Sequence, residues 1–342
     1  MDLFQDIDVM VVKNNKLKVL EQSSIFYILL TFYITYYIIY YIINVIGDYK
    51  MKELIKRIRE YIGLSQLEMA KKLGIQFATV NRWENGHSIP NSLAQEALFE
   101  LCEEYNVPFY QMILDKVKQE VDNLTIEDGR VILFHGSKNG IVGEIKPISR
   151  EKCDFGKGFY MGTTAEQPLT LICDFDDAKF YIVSIDTKDL NIYEVNVDID
   201  WAMLVAYNRG KMERIKNSKF YTKYSNMMEN KDLVIGSIAD DKMFVIIDNF
   251  FLETITDKAL INSLSALELG KQYVALTEKA CKKVKIEKEI ELSLLERKVL
   301  QKISKENRQK GIDLADEVCK KHRRDGKFFD EILNDALRGE NK

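Results

Sequence analysis

Three short segments of the chain carry residues that could do chemistry on a bound ligand. They are LFHGS with His135, Gly136 and Ser137, FGKGFYMGT with Gly158 and Tyr160, and GKQYVALT with Gln272. Histidine exchanges protons and hydrogen bonds near neutral pH, and a tyrosine ring can stack on a planar ligand. Glycine lets the backbone approach a ligand closely. Each signal alone is common in proteins, but together they indicate a ligand-binding cleft.

Strands are expected to position these residues. The run 131–134 is apolar and ends in the polar, glycine-containing segment 135–137, an arrangement that can deliver a side chain to a cleft. Further strands are predicted at residues 180–185, 190–195, 233–235, 243–247 and 273–276, and a helix at residues 254–267. We therefore predict one α+β domain over residues 129–285.

The three segments resemble the ADP-ribosyltransferase fold, in particular its poly-ADP-ribose-polymerase-like and diphtheria-toxin-like branch. Those proteins carry a strand ending in His-Gly-Ser/Thr, then a Gly-Lys-Gly-aromatic-Tyr strand, and later a strand that opens with Glu or Gln. The chain is similar to an uncharacterised bacterial branch that joins HGS and DFGKGFY to a later IGSIADDKMF segment. The resemblance implies an ADP-ribosyltransferase-like domain that uses NAD as a substrate.

Carried onto this sequence, the resemblance gives each motif residue a role. His135 would hydrogen-bond a ribose hydroxyl of NAD, the Gly136 backbone would hold the carboxamide, and Ser137 would support the same loop. Gly158 would let the backbone approach the dinucleotide, and Tyr160 would stack on the nicotinamide ring. These residues would bend the dinucleotide and stabilise an oxocarbenium-like transition state.

Gln272 stands where many of these transferases have a catalytic glutamate. An amide can hydrogen-bond the ribose 2′-hydroxyl, but it brings no negative charge to the transition state. Two hypotheses therefore remain open: an ADP-ribosyltransferase, and a transcriptional regulator that only senses NAD or a related nucleotide. Three acids beside predicted strands could activate an acceptor or could equally be turn and cap residues: Asp232, Asp240 and Asp241.

Residues 51–108 have the pattern of helices joined by a tight turn. Ser65 followed by Glu68 predicts a capping box that starts one helix, and Gly74 supplies the turn. The phrase LSQLEMAKKLGIQFATVNRWENG resembles the Xre/lambda-repressor-like helix-turn-helix family, whose second helix enters the DNA major groove. The resemblance implies that DNA is contacted by Gln66, Gln76, Phe77, Thr79, Asn81 and Arg82. A protein-interaction role for the same fold stays an alternative.

The remaining segments are read from composition and periodicity. Residues 1–50 form an apolar extension, and the uncharged stretch 22–47 is long enough to cross a bilayer as a helix. Alternatively, these residues are a spurious upstream extension of a chain that naturally starts at Met51. We predict a helical connector at 109–128 and a charged helical tail at 286–342, which Gly311 and Gly326 would divide.

The composition excludes several classes of protein. The chain of 342 residues has a net charge of −4, which argues against a protein that coats polyanions. Its five cysteines include no CxxC pair, so no metal site is predicted. Their odd number and wide spacing favour reduced thiols in a cytoplasmic protein, and membrane anchoring through residues 22–47 is the alternative. The expected whole is a multidomain protein, an all-α helix-turn-helix domain followed by an α+β domain and a helical tail. Its expected partners are DNA, a second copy in a homodimer, an unknown protein or nucleic-acid acceptor and, in a toxin–antitoxin or phage-defence module, a cognate antitoxin.

Overall fold

The computed structural model describes residues 51–149, 152–237, 241–265, 270–322 and 325–340. Residues 1–50, with the apolar stretch 22–47, lie outside these ranges, and so do Asp240 and the side chain of Asp241. The chain divides into two compact units after Val107, and each unit is treated by itself.

The first unit is made of helices. They are α1 (residues 51–62), α2 (Gln66–Lys72), α3 (Phe77–Glu84) and α4 (Ser92–Glu104). The capping box that the sequence predicts at the start of α2 is present, because Ser65 and Glu68 each accept a hydrogen bond from the other's backbone N–H. Gly74 takes a φ of +66° in the turn between α2 and α3. The unit's core is made of buried side chains from all four helices, among them Ile58, Met69, Val80, Trp83 and Leu98.

The second unit combines a mixed sheet with helices. Its strands are β1 (Arg130–Ser137), β2 (Phe159–Gly162), β3 (Lys179–Asp186), β4 (Ile192–Glu194), β5 (Leu233–Ser237), β6 (Lys271–Ala275) and β7 (Val284–Glu291). Its helices are α5 (Phe109–Asp122), α6 (Glu166–Ile172), α7 (Ile199–Asn208), α8 (Lys219–Met227), α9 (Asp241–Phe251), α10 (Asp257–Ser265), α11 (Glu278–Lys282), α12 (Leu294–His322) and α13 (Phe329–Glu340). A 3₁₀ turn, Glu213–Ile215, follows α7.

The sheet has seven strands in the order β4-β5-β6-β2-β1-β3-β7, and the only parallel pair among them is β4 with β5. The strands that carry the three motifs are therefore direct neighbours. Strand β1 pairs with β3 along its whole length, from Arg130 to Ser137. Its described register with β2 consists of one pair, Phe134 opposite Gly162. From His135, the residue after Phe134, β1 and β2 diverge.

Alternate residues of the strands feed two cores, as the pleat of a sheet requires. One face packs against helices α7, α9, α10 and α13, with buried members that include Val234, Val274, Trp201, Ile246, Leu260 and Phe329. The other face packs against α11, with buried members that include Leu133, Phe159, Met161, Tyr181, Ala275 and Cys281. The motif strands thus have apolar support on both sides.

Two sequence predictions of secondary structure are wrong. The strand predicted at residues 243–247 lies inside helix α9, where Ile246, Ile247 and Phe250 are buried at helical spacing against one core. Gly311 does not break the C-terminal helix, because α12 continues through it and buries it against its neighbours. Gly326, at a φ of +88°, does separate α12 from α13.

The segments predicted as a connector and a tail are structural parts of the second unit. Strand β7 runs across the boundary predicted at residue 285, and Phe329 and Leu333 of α13 are core residues. Helix α5 packs on α12, where Lys116 Nζ lies 2.5 Å from a carboxylate oxygen of the buried Glu296. The sheet therefore needs both flanking segments to cover its faces and edge.

Candidate functional site

His135 lies at the point where β1 and β2 diverge. Its Nδ1 is 2.7 Å from the main-chain oxygen of Tyr160, and its ring stacks on Phe159 with the centroids 4.2 Å apart. Because a carbonyl oxygen can only accept, Nδ1 carries the proton and the neutral ring keeps an acceptor lone pair on Nε2. The side chain thus replaces part of the strand pairing that the divergence interrupts.

The environment of His135 favours its neutral form. Burial lowers the pKa of the imidazole below its usual value of 6.5, and the hydrogen bond to the Tyr160 carbonyl opposes that shift without cancelling it. A neutral imidazole with a free Nε2 lone pair can accept a hydrogen bond from a ligand hydroxyl near pH 7. A hydrogen bond from a ribose hydroxyl to His135 stays a prediction, for which Nε2 is the nitrogen that could accept.

The hydroxyl of Tyr160 is engaged within the protein. It accepts from the Phe155 N–H at 3.0 Å and donates to the Gly156 carbonyl at 2.8 Å. Burial is the largest cause of a raised pKa for this hydroxyl, so it remains protonated. The ring packs against the core that contains Val274, its partner across β6. Tyr160 therefore fixes the loop before β2, a contact that the sequence did not predict.

Gln272 is 8% exposed, and its amide nitrogen donates to the Ser237 carbonyl at 2.9 Å. It lies opposite Gly162 on β2 and Gly236 on β5. Directly paired residues share a face of a sheet, so Gln272 and Tyr160 are on the same face. His135 lies opposite Tyr181 and projects to the other face. The structure brings the three motif strands together. His135 contacts Tyr160 through the main-chain oxygen of Tyr160 and not through its ring.

Both motif glycines have packing reasons of their own. A Cβ on Gly136 would lie 2.6 Å from the Pro168 carbonyl oxygen of α6, and one on Gly158 would lie 2.5 Å from Val274 Cγ1. Ser137 Oγ donates to the Gly140 carbonyl at 2.8 Å and shapes the turn after β1. Ligand binding by these three residues stays a prediction, to which the structure adds a steric requirement.

Asp232 is held by three hydrogen bonds just before β5. Its carboxylate accepts from the Asn191 N–H at 3.0 Å, from Thr277 Oγ1 at 2.9 Å and from Lys279 Nζ at 2.8 Å. The hydrogen bond from Lys279 is the main reason why the pKa of this carboxyl is lowered. Asp232 directly precedes β5 and is four residues before Gly236, which lies opposite Gln272. Four residues are about 13 Å along a strand, so Asp232 lies far from Gln272. Asp240 and the Asp241 side chain lie outside the described residues.

In the first unit, helix α3 presents a polar face. Gln76, Phe77 and Arg82 are exposed, whereas Thr79 and Asn81 are half-buried. The opposite face, with Val80 and Trp83, is buried, as the sequence predicts. DNA contact by these five residues stays a prediction.

A polar network behind this face joins three helices. Gln66 Nε2 donates to Glu84 at 2.8 Å, and Asn81 Nδ2 donates to Gln66 at 3.1 Å. Arg59 of α1 forms a two-pronged pair with Glu84, at 2.6 and 2.9 Å. Glu84 is 4% exposed in its side chain, and Arg59 is 15% exposed. The network thereby fixes α3 relative to α1 and α2, and the sequence did not predict it.

Comparison with known proteins assigns the first unit to a class. Residues 55–111 match the family model described as helix-turn-helix, which indicates a DNA-binding regulator. Residues 131–286 match the family described as a protein of unknown function, DUF3990, and span most of the mixed sheet of the second unit. No curated protein and no solved structure gives a significant match to the chain.

Two features are absent from the described residues. No group of three or more His, Cys, Asp or Glu side chains in this part of the chain is arranged to hold a metal ion. No helix within the described ranges is long and apolar enough to span a membrane, and the stretch 22–47 lies outside them.

Proposed function

We propose that the chain is a DNA-binding regulator whose second unit is an NAD-dependent ADP-ribosyltransferase. The observation that carries the proposal is His135 at the divergence of β1 and β2, neutral and with Nε2 available to accept a hydrogen bond. The strands bearing His135, Tyr160 and Gln272 are consecutive in the sheet, but His135 projects from the opposite face to the other two side chains, so the proposed ligand contacts are those of His135 and the adjoining Gly136 backbone.

In the proposed reaction the C1′–N bond between ribose and nicotinamide breaks, and its electron pair leaves with neutral nicotinamide. The acceptor's nucleophile forms the new bond at C1′ and releases its proton to solvent. His135 Nε2 accepts from a ribose hydroxyl, and the Gly136 backbone holds the carboxamide. Because the ring stays neutral, it orients the sugar without adding positive charge beside the developing oxocarbenium ion.

A second candidate is a regulator that binds NAD without turning it over. The observation that favours it is Gln272, whose amide donates to the Ser237 carbonyl 2.9 Å away. A carboxylate at this position would face that carbonyl oxygen and could not donate to it. This position therefore suits a neutral amide, which brings no negative charge to a developing cation.

Incubation of the full chain with labelled NAD and cell extract separates the two candidates. The transferase predicts label transfer and nicotinamide release, both lost in His135→Ala and retained in His322→Ala, a matched histidine change elsewhere in the second unit. The sensor predicts saturable NAD binding, measured by calorimetry, without nicotinamide release. Absence of both binding and release in the wild type would contradict both candidates.

The proposal extends to the biological setting. The helix-turn-helix unit would bind DNA at the protein's own operon as a homodimer, and the transferase would modify a protein or nucleic-acid acceptor under the control of a cognate antitoxin. Footprinting on the upstream DNA, with Arg82→Ala as the control, tests the first part. Mass spectrometry of the modified product identifies the acceptor, and finding no modified species in the cell would refute the second part.

A further inference from the structure

The loop 153–158 leads directly into β2, and helix α7 holds it from one side. Asp154 Oδ1 lies 2.9 Å from Arg209 Nε and 2.8 Å from a second guanidinium nitrogen. Asn208 Nδ2 donates to the Asp154 carbonyl oxygen at 2.9 Å. The side chains of Arg209 and Asp154 are only 7% and 14% exposed, so solvent screens this ion pair little.

Helix α7 is a firm support for that contact. Residues 201–206 are all at most 1% exposed, so the helix is packed on every side. Arg209 is the C-cap of α7, where a cation interacts favourably with the negative end of the helix dipole. A charged group held in this way fixes the position of its partner more tightly than a group on a surface loop does.

The loop is also tied to the sheet. Phe155 is 2% exposed and packs on Gly236 of β5, where a Cβ would lie 2.6 Å from the ring. The Tyr160 hydroxyl bonds the Phe155 N–H and the Gly156 carbonyl. The loop is thus anchored to α7 on one side and to β2 and β5 on the other.

The loop leads into two residues of β2 that touch His135. Phe159 is the first residue of β2 and stacks on the imidazole, and the Tyr160 carbonyl accepts from Nδ1. A displacement of residues 153–158 therefore moves both of these contacts at once, whereas the ring contact with Tyr181 of β3 is independent of the loop.

We propose that Arg209, acting through Asp154, is a positioning residue that sets the orientation and the tautomer of His135. Its consequence for turnover rests on the proposed function, whereas its effect on the imidazole does not. Loss of the guanidinium leaves a largely buried carboxylate without its main partner, and the loop must open to hydrate it.

Nitrogen-15 histidine NMR of the full chain tests this directly. The chain contains three histidines, so single His→Ala variants assign the spectrum. Arg209→Met removes the charge, and Arg209→Lys keeps it. In case the single variant fails to fold, the double variant Asp154→Asn with Arg209→Met leaves no unpaired carboxylate at position 154. The second carboxylate near Arg209, Asp248 at 3.4 Å, is 44% exposed and can be hydrated in either variant. Lys116→Met is the matched control, because it breaks another buried ion pair in the same unit.

We expect the wild-type His135 ring to show the Nδ1–H tautomer near neutral pH. Arg209→Met and the double variant lose that tautomer signal, Arg209→Lys recovers part of it, and Lys116→Met retains it. Under the transferase assay, kcat falls about tenfold or more in the double variant, with a smaller change in KM.

An unchanged His135 spectrum in the double variant, or an equal change in Lys116→Met, overturns the proposal. A changed spectrum in a chain that never releases nicotinamide refutes the proposed function and still supports the positioning contact.

Discussion

Replacing Glu84 with glutamine is expected to destabilise the helix-turn-helix unit while leaving its exposed face chemically intact. Glu84 accepts two hydrogen bonds from Arg59, at 2.6 and 2.9 Å, and a third from Gln66 at 2.8 Å. An amide presents only one acceptor oxygen, and its NH₂ group would face a guanidinium donor. The change therefore breaks a buried pair and leaves Arg59 with only the exposed Glu60, 3.9 Å away, as a counter-charge.

The expected loss is about 3 kcal/mol, at the low end of the roughly 3–5 kcal/mol for breaking a buried ion pair. The low end applies because Arg59 is 15% exposed and still donates to the Leu64 carbonyl at 2.9 Å. A loss of that size is a large fraction of the stability of a small unit.

The chain has two tryptophans, Trp83 in the first unit and Trp201 in the second, so fluorescence can follow each unit separately. Urea denaturation in a Trp201→Phe background, which keeps an aromatic ring at that buried position, reports the first unit through Trp83. Arg82→Ala, on the exposed face of the same helix, is the control and should leave the midpoint unchanged. A Glu84→Gln transition within about 0.5 kcal/mol of the wild type would refute this reasoning.

Three further predictions use the same measurements. Gly136→Ala should destabilise the second unit by about 1–3 kcal/mol, because the added Cβ would overlap α6. Gly339→Ala is the control, because a Cβ there would have no atom within 4 Å. Equal Trp201 unfolding transitions in the two variants would contradict this prediction. Burial opposes ionisation of Glu296, but Lys116 and Ser293 overcome it and lower the pKa of the carboxyl group. The loss of stability caused by Glu296→Gln should therefore be greatest above pH 4.5 and shrink as the pH falls further. A difference in urea midpoint that does not change with pH would contradict this prediction. Phe77→Ala and Arg82→Ala should each weaken binding to selected DNA duplexes, by about 1–3 kcal/mol for the arginine, without moving the Trp83 transition. Unchanged gel-shift affinity would contradict the prediction that α3 contacts the DNA bases.

Much of the first unit could be predicted from the sequence because its signals are local. The capping box links Ser65 to a residue three positions away, and the Gly74 turn follows from a single glycine. The buried face of α3 follows from helical spacing of Val80 and Trp83. The network at Glu84 could not be predicted, because Arg59 is 25 residues away and no local pattern marks it as a partner.

In the second unit, the three motif strands could be predicted from the sequence, but the face of the sheet to which each motif side chain projects could not. Strand register places His135 on one face and Tyr160 with Gln272 on the other, and register depends on pairing between distant segments. The short apolar run in α9 is compatible with a strand or a helix, because it is too short to show a helical or strand periodicity. The strand prediction at residues 243–247 is wrong for this reason.

By itself, then, the sequence determined the helix-turn-helix unit and the three motif strands of the second unit. Those features depend on interactions within a few residues, or on motifs whose order survives without knowledge of the fold. Only the tertiary structure decided the neutral tautomer of His135, the engagement of Tyr160 and Gln272, and the anchor of Asp154 on Arg209, 55 residues away. The physical reason is that burial and hydrogen-bond partners of a side chain are set by segments that chain topology, not local pattern, brings together.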